Sequence, residues 1–134
     1  MNTSNPYLVI FDCDGTLIDS GHNIVTAMCE AWRSYDLEPP PAISIRRIVG
    51  LKLEEAVQKL MPLDCEVEVN HLVQAYIDSF SRFRDEPEYT EPLYPGIRDC
   101  LNDLVSLGFS LGIATGKSRR GLLRTLERHN LSEL

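Results

Sequence analysis

Residues 7–11 form a continuous apolar, β-prone run that leads directly into two carboxylates, Asp12 and Asp14, and then into Gly15. A run of this kind is typical of a strand that is buried on both faces of a parallel sheet. Because side chains alternate along a strand, Asp12 and Asp14 are expected to emerge on the same side at its C-terminal end. Cys13 is expected to point the opposite way, which favours a packing role over that of a nucleophile.

The composition excludes several classes of protein. The chain has 134 residues, of which 43% are hydrophobic and 25% charged, so one ordinary folded core is expected rather than disorder. The formal net charge of -7 gives no general attraction to nucleic acid or to anionic membranes, and neither is an expected partner. Four scattered cysteines, and no stretch that resembles a signal peptide or a membrane span, predict a reduced cytoplasmic protein. The sequence leaves the oligomeric state open.

Residues 19–86 show only helical spacing of their apolar positions. A first helix begins after Ser20, which is expected to cap it, and places Trp32 and Tyr35 in the core. Two shorter helices follow, the first of them ending at a glycine. A long amphipathic helix is predicted over about residues 64–84.

The pattern changes after this helical block. The acidic, proline-containing residues 85–92 predict a linker between two compact units. A helix at about residues 97–107, a second buried strand at 109–115 and a helix at 118–129 follow. The order of these elements predicts an α/β fold, with the all-helical block inserted directly after the first strand of a parallel sheet.

Both predicted strands end in polar residues, and ligands of parallel α/β sheets lie beyond the C-terminal ends of the strands. Thr115 offers a hydroxyl group, Gly116 permits close approach of the backbone, and Lys117 supplies a positive charge. The N-terminus of the next helix adds unpaired amides, which favour an anion. The turn after the first strand adds a second set of amides. The expected phosphate-binding residues are Gly15, Thr16, Thr115, Gly116 and Lys117.

Several motifs together resemble the haloacid dehalogenase (HAD) superfamily, most of all its phosphoglycolate-phosphatase-like branch. They are the D-x-D-G-T motif after an apolar strand, the helical insertion, the stretch Leu93-Tyr94-Pro95-Gly96 and the strand end Ala114-Thr115-Gly116. The resemblance covers the whole chain. It implies a Rossmann-like parallel-sheet core, incomplete in this chain, at residues 1–18 and 87–134, and an all-helical cap domain at residues 19–86.

The same resemblance implies a hydrolase of phosphoric monoesters that acts on a small, phosphoglycolate-like phosphorylated metabolite. Asp12 would attack the phosphorus and become an aspartyl-phosphate, and Asp14 would act as general acid and then as general base. A Mg²⁺ ion, bound by the Asp12 side chain and the Asp14 backbone carbonyl, would offset the repulsion between these carboxylates and the phosphate. Thr115 would hold the transferred phosphoryl group.

The cap is expected to select the substrate. Arg46 and Lys52 lie on either side of Gly50 at a turn between two cap helices, and they are candidates for binding a second anionic group of the substrate. The alternative is that these charges are simply solvated, as is usual on short surface helices.

The family pattern continues with a lysine motif and an acidic metal-binding motif, and neither occurs before Leu134. We therefore expect this chain to be a fragment with little or no phosphatase activity on its own. Three alternatives to a phosphatase are considered. A phosphosugar mutase shares the fold and the acidic turn, and a non-catalytic phosphate-binding protein would retain the pocket. A signalling receiver domain also phosphorylates an aspartate, but it requires a strand soon after the first helix.

Overall fold

The computed structural model describes residues 6–134. Two strands and six helices follow one another along this part of the chain. Their bounds are β1 Leu8–Phe11, α1 Gly21–Arg33, α2 Ala42–Arg47, α3 Leu53–Leu60, α4 Val69–Arg84, α5 Ile97–Ser106, β2 Ser110–Ile113 and α6 Arg119–Arg128. The order of elements agrees with the predicted order. No strand lies soon after α1 in the described residues, so the arrangement of a receiver domain is not present.

The two strands pair in parallel. Leu8 lies opposite Ser110, and Phe11 lies opposite Ile113. Parallel pairing brings the C-terminal ends of both strands to the same edge of the sheet. The predicted α/β class with a parallel sheet is confirmed, and within residues 6–134 this sheet contains two strands.

The buried apolar residues form two separate clusters. The larger one is built from α1 to α4 and includes Trp32 of α1 and Leu72 of α4, which are 1% and 0% exposed. The smaller one packs Cys13, which follows β1, against Leu101 of α5. Two clusters support the predicted division into a helical cap and an α/β core, which stays a prediction.

Two details of the helical block differ from the prediction. Trp32 is buried as expected, but Tyr35 lies beyond the end of α1, is 39% exposed and stacks on His71. The core assignment of Tyr35 is wrong because the chain has already turned away from the buried face of the helix. The long helix begins at Val69 rather than near Asp64, since the residue before it has extended backbone.

One face of the sheet is uncovered in the described part of the chain. Leu8 and Ile10 are 58% and 60% exposed, while Phe11 on the other face packs into the smaller cluster. Leu101 of α5 and Leu122 of α6 belong to that same cluster. The prediction that β1 is buried on both faces is therefore wrong, because both helices cover the same side of the sheet.

The two chain segments that connect the clusters run side by side. Ile18 forms an antiparallel bridge with Leu93. The Asp19 amide donates to the Pro92 carbonyl oxygen at 2.8 Å. The connection between the clusters is therefore a short two-stranded ribbon rather than two independent linkers.

The segment predicted to be a linker is anchored to α6 through Glu91, whose side chain is 2% exposed. Its carboxylate accepts hydrogen bonds from the hydroxyl groups of Tyr89 at 2.8 Å and Thr125 at 3.3 Å. The Arg128 guanidinium lies 3.4 Å from the same carboxylate, and a ring nitrogen of His129 lies 2.7 Å from the Glu91 carbonyl oxygen. The acidic composition predicted a linker between two compact units, and one of its acidic side chains, that of Glu91, is buried and anchors the segment.

In residues 6–134 no helix combines the length and the hydropathy that a bilayer crossing requires. The four cysteines of the chain are free thiols, with Cys13 buried and Cys100 exposed.

Candidate active site

The chain reverses direction immediately after β1. The three amides that follow Gly15 all donate to the Cys13 carbonyl oxygen, at distances of 2.9 to 3.2 Å. Gly15 has φ of +80°, a conformation that residues with a side chain rarely adopt. This tight turn holds Asp12 and Asp14 at the C-terminal end of the strand, as predicted.

Asp12 is exposed and lines a cavity that residues of α1, α3 and α4 also line. Its Oδ1 accepts a hydrogen bond from the Cys13 amide at 2.8 Å, which orients the carboxylate. Its Oδ2 has no hydrogen-bond donor among the described residues, and a Cβ atom placed on Gly50 would lie 3.7 Å from it. This oxygen is therefore available to a ligand.

Asp14 is held by two side chains. The Ser20 hydroxyl donates to its Oδ1 at 2.7 Å, and the Lys117 ammonium lies 3.2 Å from its Oδ2. The side chains of Asp14 and Lys117 are only 15% and 10% exposed, so water screens this pair weakly. The predicted capping role of Ser20 is wrong, because its hydroxyl is taken by a charged acceptor, which binds more strongly than a backbone group does.

The end of β2 meets these carboxylates from the other strand. Thr115 Oγ1 accepts a hydrogen bond from the Lys117 amide at 3.1 Å, which leaves the hydroxyl proton free to be donated elsewhere. Ser118 caps α6, as its side chain accepts from the Gly121 amide at 3.2 Å. The predicted strand-to-helix loop is therefore ordered by its own polar residues.

The loop between α2 and α3 lies directly on the strand ends. A Cβ atom placed on Gly116 would be 2.5 Å from the Leu51 carbonyl oxygen and 2.9 Å from that of Gly50. Gly50 itself has φ of +102°. Only glycine at position 116 permits this approach, so the loop between α2 and α3 lies closely against the end of β2.

A cavity of about 560 Å³ lies between this loop, α4 and the two strand ends. The residues predicted for the site that line it are Asp12, Asp14, Gly50, Lys52, Thr115, Gly116 and Lys117. The cavity brings together residues that are 103 positions apart, as the pair of Asp14 and Lys117 illustrates.

Three predicted residues lie outside the lining of this cavity. Gly15 and Thr16 shape the turn, and both are exposed. Arg46 packs against the start of α1, where its NH1 atom would lie 2.7 Å from a Cβ atom on Gly21. Of the two basic side chains predicted near Gly50, only that of Lys52 therefore reaches the cavity.

Sequence reasoning missed a set of cavity residues on α4. Tyr76, Phe80 and Arg84 all line the cavity, although the sequence predicted only an amphipathic helix in this region. The Arg84 guanidinium lies 4.6 Å from the centroid of the Phe80 ring, and the Lys117 ammonium lies 5.7 Å from it. Their spacing of four residues along a helix was the available signal, because it places all three on one face.

Two side chains near the carboxylates are kept neutral. Burial, and then the negative charges of Asp14 and Asp12, raise the pKa of the Cys13 thiol from 9.0 to about 11. Cys13 is therefore not an activated nucleophile, and its burial confirms the predicted packing role. Burial and the charge of Asp14 also raise the pKa of Tyr76, whose phenol stays a hydrogen-bond donor.

The donor set next to the turn fits a small, hard cation. The side-chain Oδ2 of Asp12 and the backbone carbonyl oxygen of Asp14 accept no hydrogen bond from the described residues. Mg²⁺ is held in many proteins by one or two such oxygens, with water and substrate phosphate completing its shell. Residues 6–134 contain no group of three or more histidine, cysteine, aspartate or glutamate side chains that would hold a metal without such help.

The geometry places two carboxylates, a lysine and a helix N-terminus around one cavity of an α/β fold with a helical insertion. The sequence model of the haloacid dehalogenase-like hydrolase family matches residues 9–134. The chain therefore belongs to this family, and the resemblance noted from the D-x-D-G-T motif is confirmed.

Relatives and solved structures agree with this assignment. The chain is 36% identical over 111 residues to the probable phosphatase IndB of Dickeya dadantii, covering 82% of this chain and 48% of that protein. It is 32% identical over 119 residues to a phosphoglycolate phosphatase of Caulobacter vibrioides, covering 84% and 48%. A crystal structure of a predicted phosphatase from Clostridium acetobutylicum superposes with a TM-score of 0.77 at 25% identity, covering 95% of this chain and 57% of the other. The chain thus spans about half the length of the curated relatives that it matches.

Proposed function

We propose that this chain carries the aspartate pair of a Mg²⁺-dependent phosphomonoester hydrolase that acts on a small phosphorylated metabolite. The observation that carries the proposal is the meeting of Asp12, Asp14 and Lys117 in one cavity at the ends of two parallel strands. The phosphatase names of the relatives support the same reaction class.

Asp12 is the nucleophile of the proposed reaction. The Asp12 carboxylate lines the cavity, so one of its oxygens attacks the phosphorus while the other stays available to the metal, the bond to the leaving oxygen breaks, and the phosphoryl group is carried on the aspartate. Water then attacks this aspartyl-phosphate and releases phosphate. The Thr115 hydroxyl and the amides at the start of α6 hold the phosphoryl oxygens during both steps.

Asp14 moves the proton in both steps. Without substrate its carboxylate is paired with Lys117 and bonded to Ser20. An incoming phosphate dianion competes for the Lys117 ammonium, which frees the Asp14 carboxyl group from this pair. Asp14 then acts as general acid toward the departing alkoxide and as general base toward the attacking water.

Asp12 and the Asp14 carbonyl would hold Mg²⁺, which supplies charge neutralisation between the carboxylates and the phosphate when it is bound. We place the protein in the cytoplasm, where free thiols such as those of this chain stay reduced.

The test is a phosphate-release screen over small phosphomonoesters with the full-length gene product, with and without Mg²⁺. Release is expected to require Mg²⁺ and to fall by at least about a thousandfold in Asp12→Asn, because the amide cannot attack phosphorus. Asp103→Asn is the matched control, since Asp103 is exposed on α5 and lies outside the lining of the cavity, so release should be unchanged. Release that persists in Asp12→Asn would refute Asp12 as the nucleophile.

Two alternative functions can be distinguished from a phosphatase by what happens to the phosphate ester. A phosphosugar mutase would return an isomeric sugar phosphate with no free phosphate, and analysis of the products of the same screen identifies it. A non-catalytic phosphate-binding protein would bind the ester and never carry phosphate on Asp12, so acid-stable labelling of Asp12 excludes it.

A further inference from the structure

Arg84 carries a half-buried positive charge that is not paired with any carboxylate of residues 6–134. It is the last residue of α4 and lines the cavity at the strand ends. No carboxylate in this part of the chain lies within 4.0 Å of its guanidinium nitrogens. The other cations in the described lining differ from it, since Lys117 is paired with Asp14 and Lys52 is exposed. A half-buried cation without a counter-ion is unusual, because its loss of water is ordinarily offset by an anion.

The acidic side chains closest to Arg84 in the fold do not neutralise it. Glu54 lines the same cavity and is exposed. Asp85 and Glu127 line a neighbouring cleft that Arg84 also borders, and both are exposed. Glu91 of that cleft is already engaged in the hydrogen bonds and the ion pair that anchor the segment before α5. The described residues therefore leave this guanidinium available to a ligand.

Uncharged aromatic side chains hold the Arg84 guanidinium in place. Its Cζ atom lies 4.6 Å from the centroid of the Phe80 ring. Burial and Glu91 raise the pKa of Tyr89, and the positive charge of Arg84 opposes that rise, so these two side chains are neighbours as well. A cation that is already stacked loses little further freedom when an anion binds to it. The guanidinium is therefore both fixed and without an anionic partner among the described residues.

The guanidinium lies beside the loop to which the proposed function assigns the phosphoryl group. Three atoms lie 3.2 to 3.6 Å from the position that a Cβ atom on Gly121 would occupy, namely Arg84 Nη2, Lys117 Cγ and Ser118 Oγ. The guanidinium and the Lys117 ammonium also lie over the same ring, that of Phe80, at 4.6 and 5.7 Å from its centroid. Two cations placed this close together repel each other. A ligand with two anionic groups would relieve that repulsion, with one group near each cation.

We propose that Arg84 is a specificity-determining residue that binds a second anionic group, a carboxylate or a phosphate, on the leaving group of the substrate. The inference rests on the proposed phosphomonoester chemistry at Asp12. Either anion accepts charge-assisted hydrogen bonds from the planar guanidinium, and the experiment below distinguishes the two. This assignment replaces Lys52, the basic residue near Gly50 that the sequence indicated, because water and salt screen an exposed ammonium.

The first experiment compares three esters that differ in the group at the far end of the leaving group. Phosphoglycolate carries a carboxylate there, ethylene glycol bisphosphate a phosphate, and 2-hydroxyethyl phosphate an uncharged hydroxyl. The full-length gene product is expected to hydrolyse at least one charged ester with a kcat/KM at least about tenfold above that of the hydroxyl ester, and the better of the two identifies the anion. A kcat/KM for 2-hydroxyethyl phosphate equal to or above those of both charged esters would overturn the proposal.

Substitution then assigns the preference for a charged ester to one residue. Arg84→Met keeps an apolar stem against Phe80 and removes the charge, so the ratio of kcat/KM between the charged and the hydroxyl ester is expected to fall at least about tenfold. Arg84→Lys should retain part of this ratio, because it keeps the charge and loses the planar donor. Arg84→Gln serves the same comparison if thermal unfolding shows that Arg84→Met does not fold.

Two further variants show whether the effect is specific to Arg84. Arg82→Met is the matched control, because Arg82 lies on the same helix but is 68% exposed, pairs with Glu30 and lies outside the lining of the cavity. It should leave the ratio between the charged and the hydroxyl ester unchanged. Lys52→Met tests the residue that the sequence indicated. If Lys52→Met abolished the preference and Arg84→Met kept it, the assignment to Arg84 would be wrong.

Equilibrium binding separates this inference from the proposed function. Titration calorimetry measures the affinity of the same three esters for the full-length gene product carrying Asp12→Asn. If the parent protein hydrolyses no ester, while a charged ester binds at least about tenfold more tightly than the hydroxyl ester and Arg84→Met removes that difference, the proposed hydrolysis fails and the Arg84 site stands. If the parent protein releases phosphate from all three esters with equal kcat/KM, the hydrolase stands and the inference fails.

Discussion

Tyr89 shows how one buried hydrogen bond makes stability depend on pH. Its hydroxyl donates to the buried Glu91 carboxylate, and burial together with this hydrogen bond raises the pKa of Tyr89 above its ordinary value of 10.0. A pKa that is higher in the folded state means that the folded protein favours the neutral phenol. This stabilisation is fully present below about pH 10 and is lost as the pH rises further.

Replacing Tyr89 by phenylalanine should remove that pH dependence. Tyr89→Phe is expected to cost about 1.5 kcal/mol at neutral pH, the typical value of a hydrogen bond to a charged group. Above pH 10.0 the free energy of unfolding of the parent chain should fall toward that of the variant. Urea unfolding at a series of pH values measures both, with the exposed Tyr35→Phe as control. If the difference in free energy of unfolding between the parent chain and Tyr89→Phe stayed constant across this pH range, the Tyr89 hydrogen bond would not be the source of the pH dependence.

Cys13 and Cys100 are expected to differ in their rate of alkylation at neutral pH. The Cys13 thiol is 1% exposed, and its pKa is raised to about 11, whereas Cys100 is exposed. Iodoacetamide is therefore expected to alkylate Cys100 at least about a hundredfold faster than Cys13 in the folded chain, because the thiolate is the reactive form. Peptide mapping by mass spectrometry measures the two rates. Comparable rates in the folded chain would show that Cys13 is accessible, while comparable rates in urea are expected.

At the scale of elements, the close contact between the α2–α3 loop and the end of β2 requires a glycine at position 116. Gly116→Ala would place a Cβ atom 2.5 Å from the Leu51 carbonyl oxygen, so the loop must move away. The variant is expected to lower kcat/KM of the full-length gene product at least about tenfold. The free energy of unfolding should change by less than about 1 kcal/mol, because moving the loop relieves the clash.

Gly112→Ala is the matched control for this substitution. A Cβ atom on Gly112 would meet Leu8 Cδ1 at 3.6 Å, an ordinary contact on the far side of the sheet. Its kcat/KM should equal that of the parent protein. If Gly116→Ala retained the same activity as Gly112→Ala, the closed loop would not be the arrangement in which the reaction occurs.

Elements that follow from local pattern were predicted well. The helical spacing of the apolar positions after Ser20 predicted α1 and the burial of Trp32, and the apolar run before Asp12 predicted β1. The convergence of the two strand ends also followed from sequence, since it needs only parallel pairing.

Features that depend on which polar side chains meet in the folded chain were not predicted. The sequence predicts Ser20 as a helix cap, because sequence alone does not show that the Asp14 carboxylate in the preceding turn accepts the Ser20 hydroxyl. The sequence predicts Glu91 as part of a linker. Its hydrogen-bond partner Thr125 lies 34 residues further along the chain, so local composition does not reveal the contact. Periodicity reports which face of an element is apolar, and it carries no information about which polar side chains meet across the fold.

At the scale of the whole molecule, the uncovered face of the sheet has a measurable effect. Leu8 and Ile10 expose adjacent apolar side chains, and exposed apolar patches bind hydrophobic probes. Replacing both by threonine is expected to reduce the fluorescence of the dye ANS bound to the 134-residue chain at least about twofold. Stability should change by less than about 1 kcal/mol, because neither side chain is buried.

Leu63→Thr provides the comparison for this experiment. Leu63 is fully exposed but lies in the turn before α4, away from the sheet. The Leu63→Thr substitution should leave the fluorescence of bound ANS unchanged. An equal loss of fluorescence in Leu63→Thr would mean that isolated leucines, rather than the sheet face, bind the dye.

The ribbon that joins the two clusters has a mechanical consequence. Because Ile18 and Leu93 are bridged, the two chain segments that connect the clusters are held side by side and must move together. Ser20 follows this ribbon and donates to the Asp14 carboxylate, which the Lys117 ammonium also contacts. A movement of helices α1 to α4 relative to the sheet is therefore expected to break the Ser20 hydrogen bond, and so to change the surroundings of the carboxylate to which the proposed function assigns proton transfer.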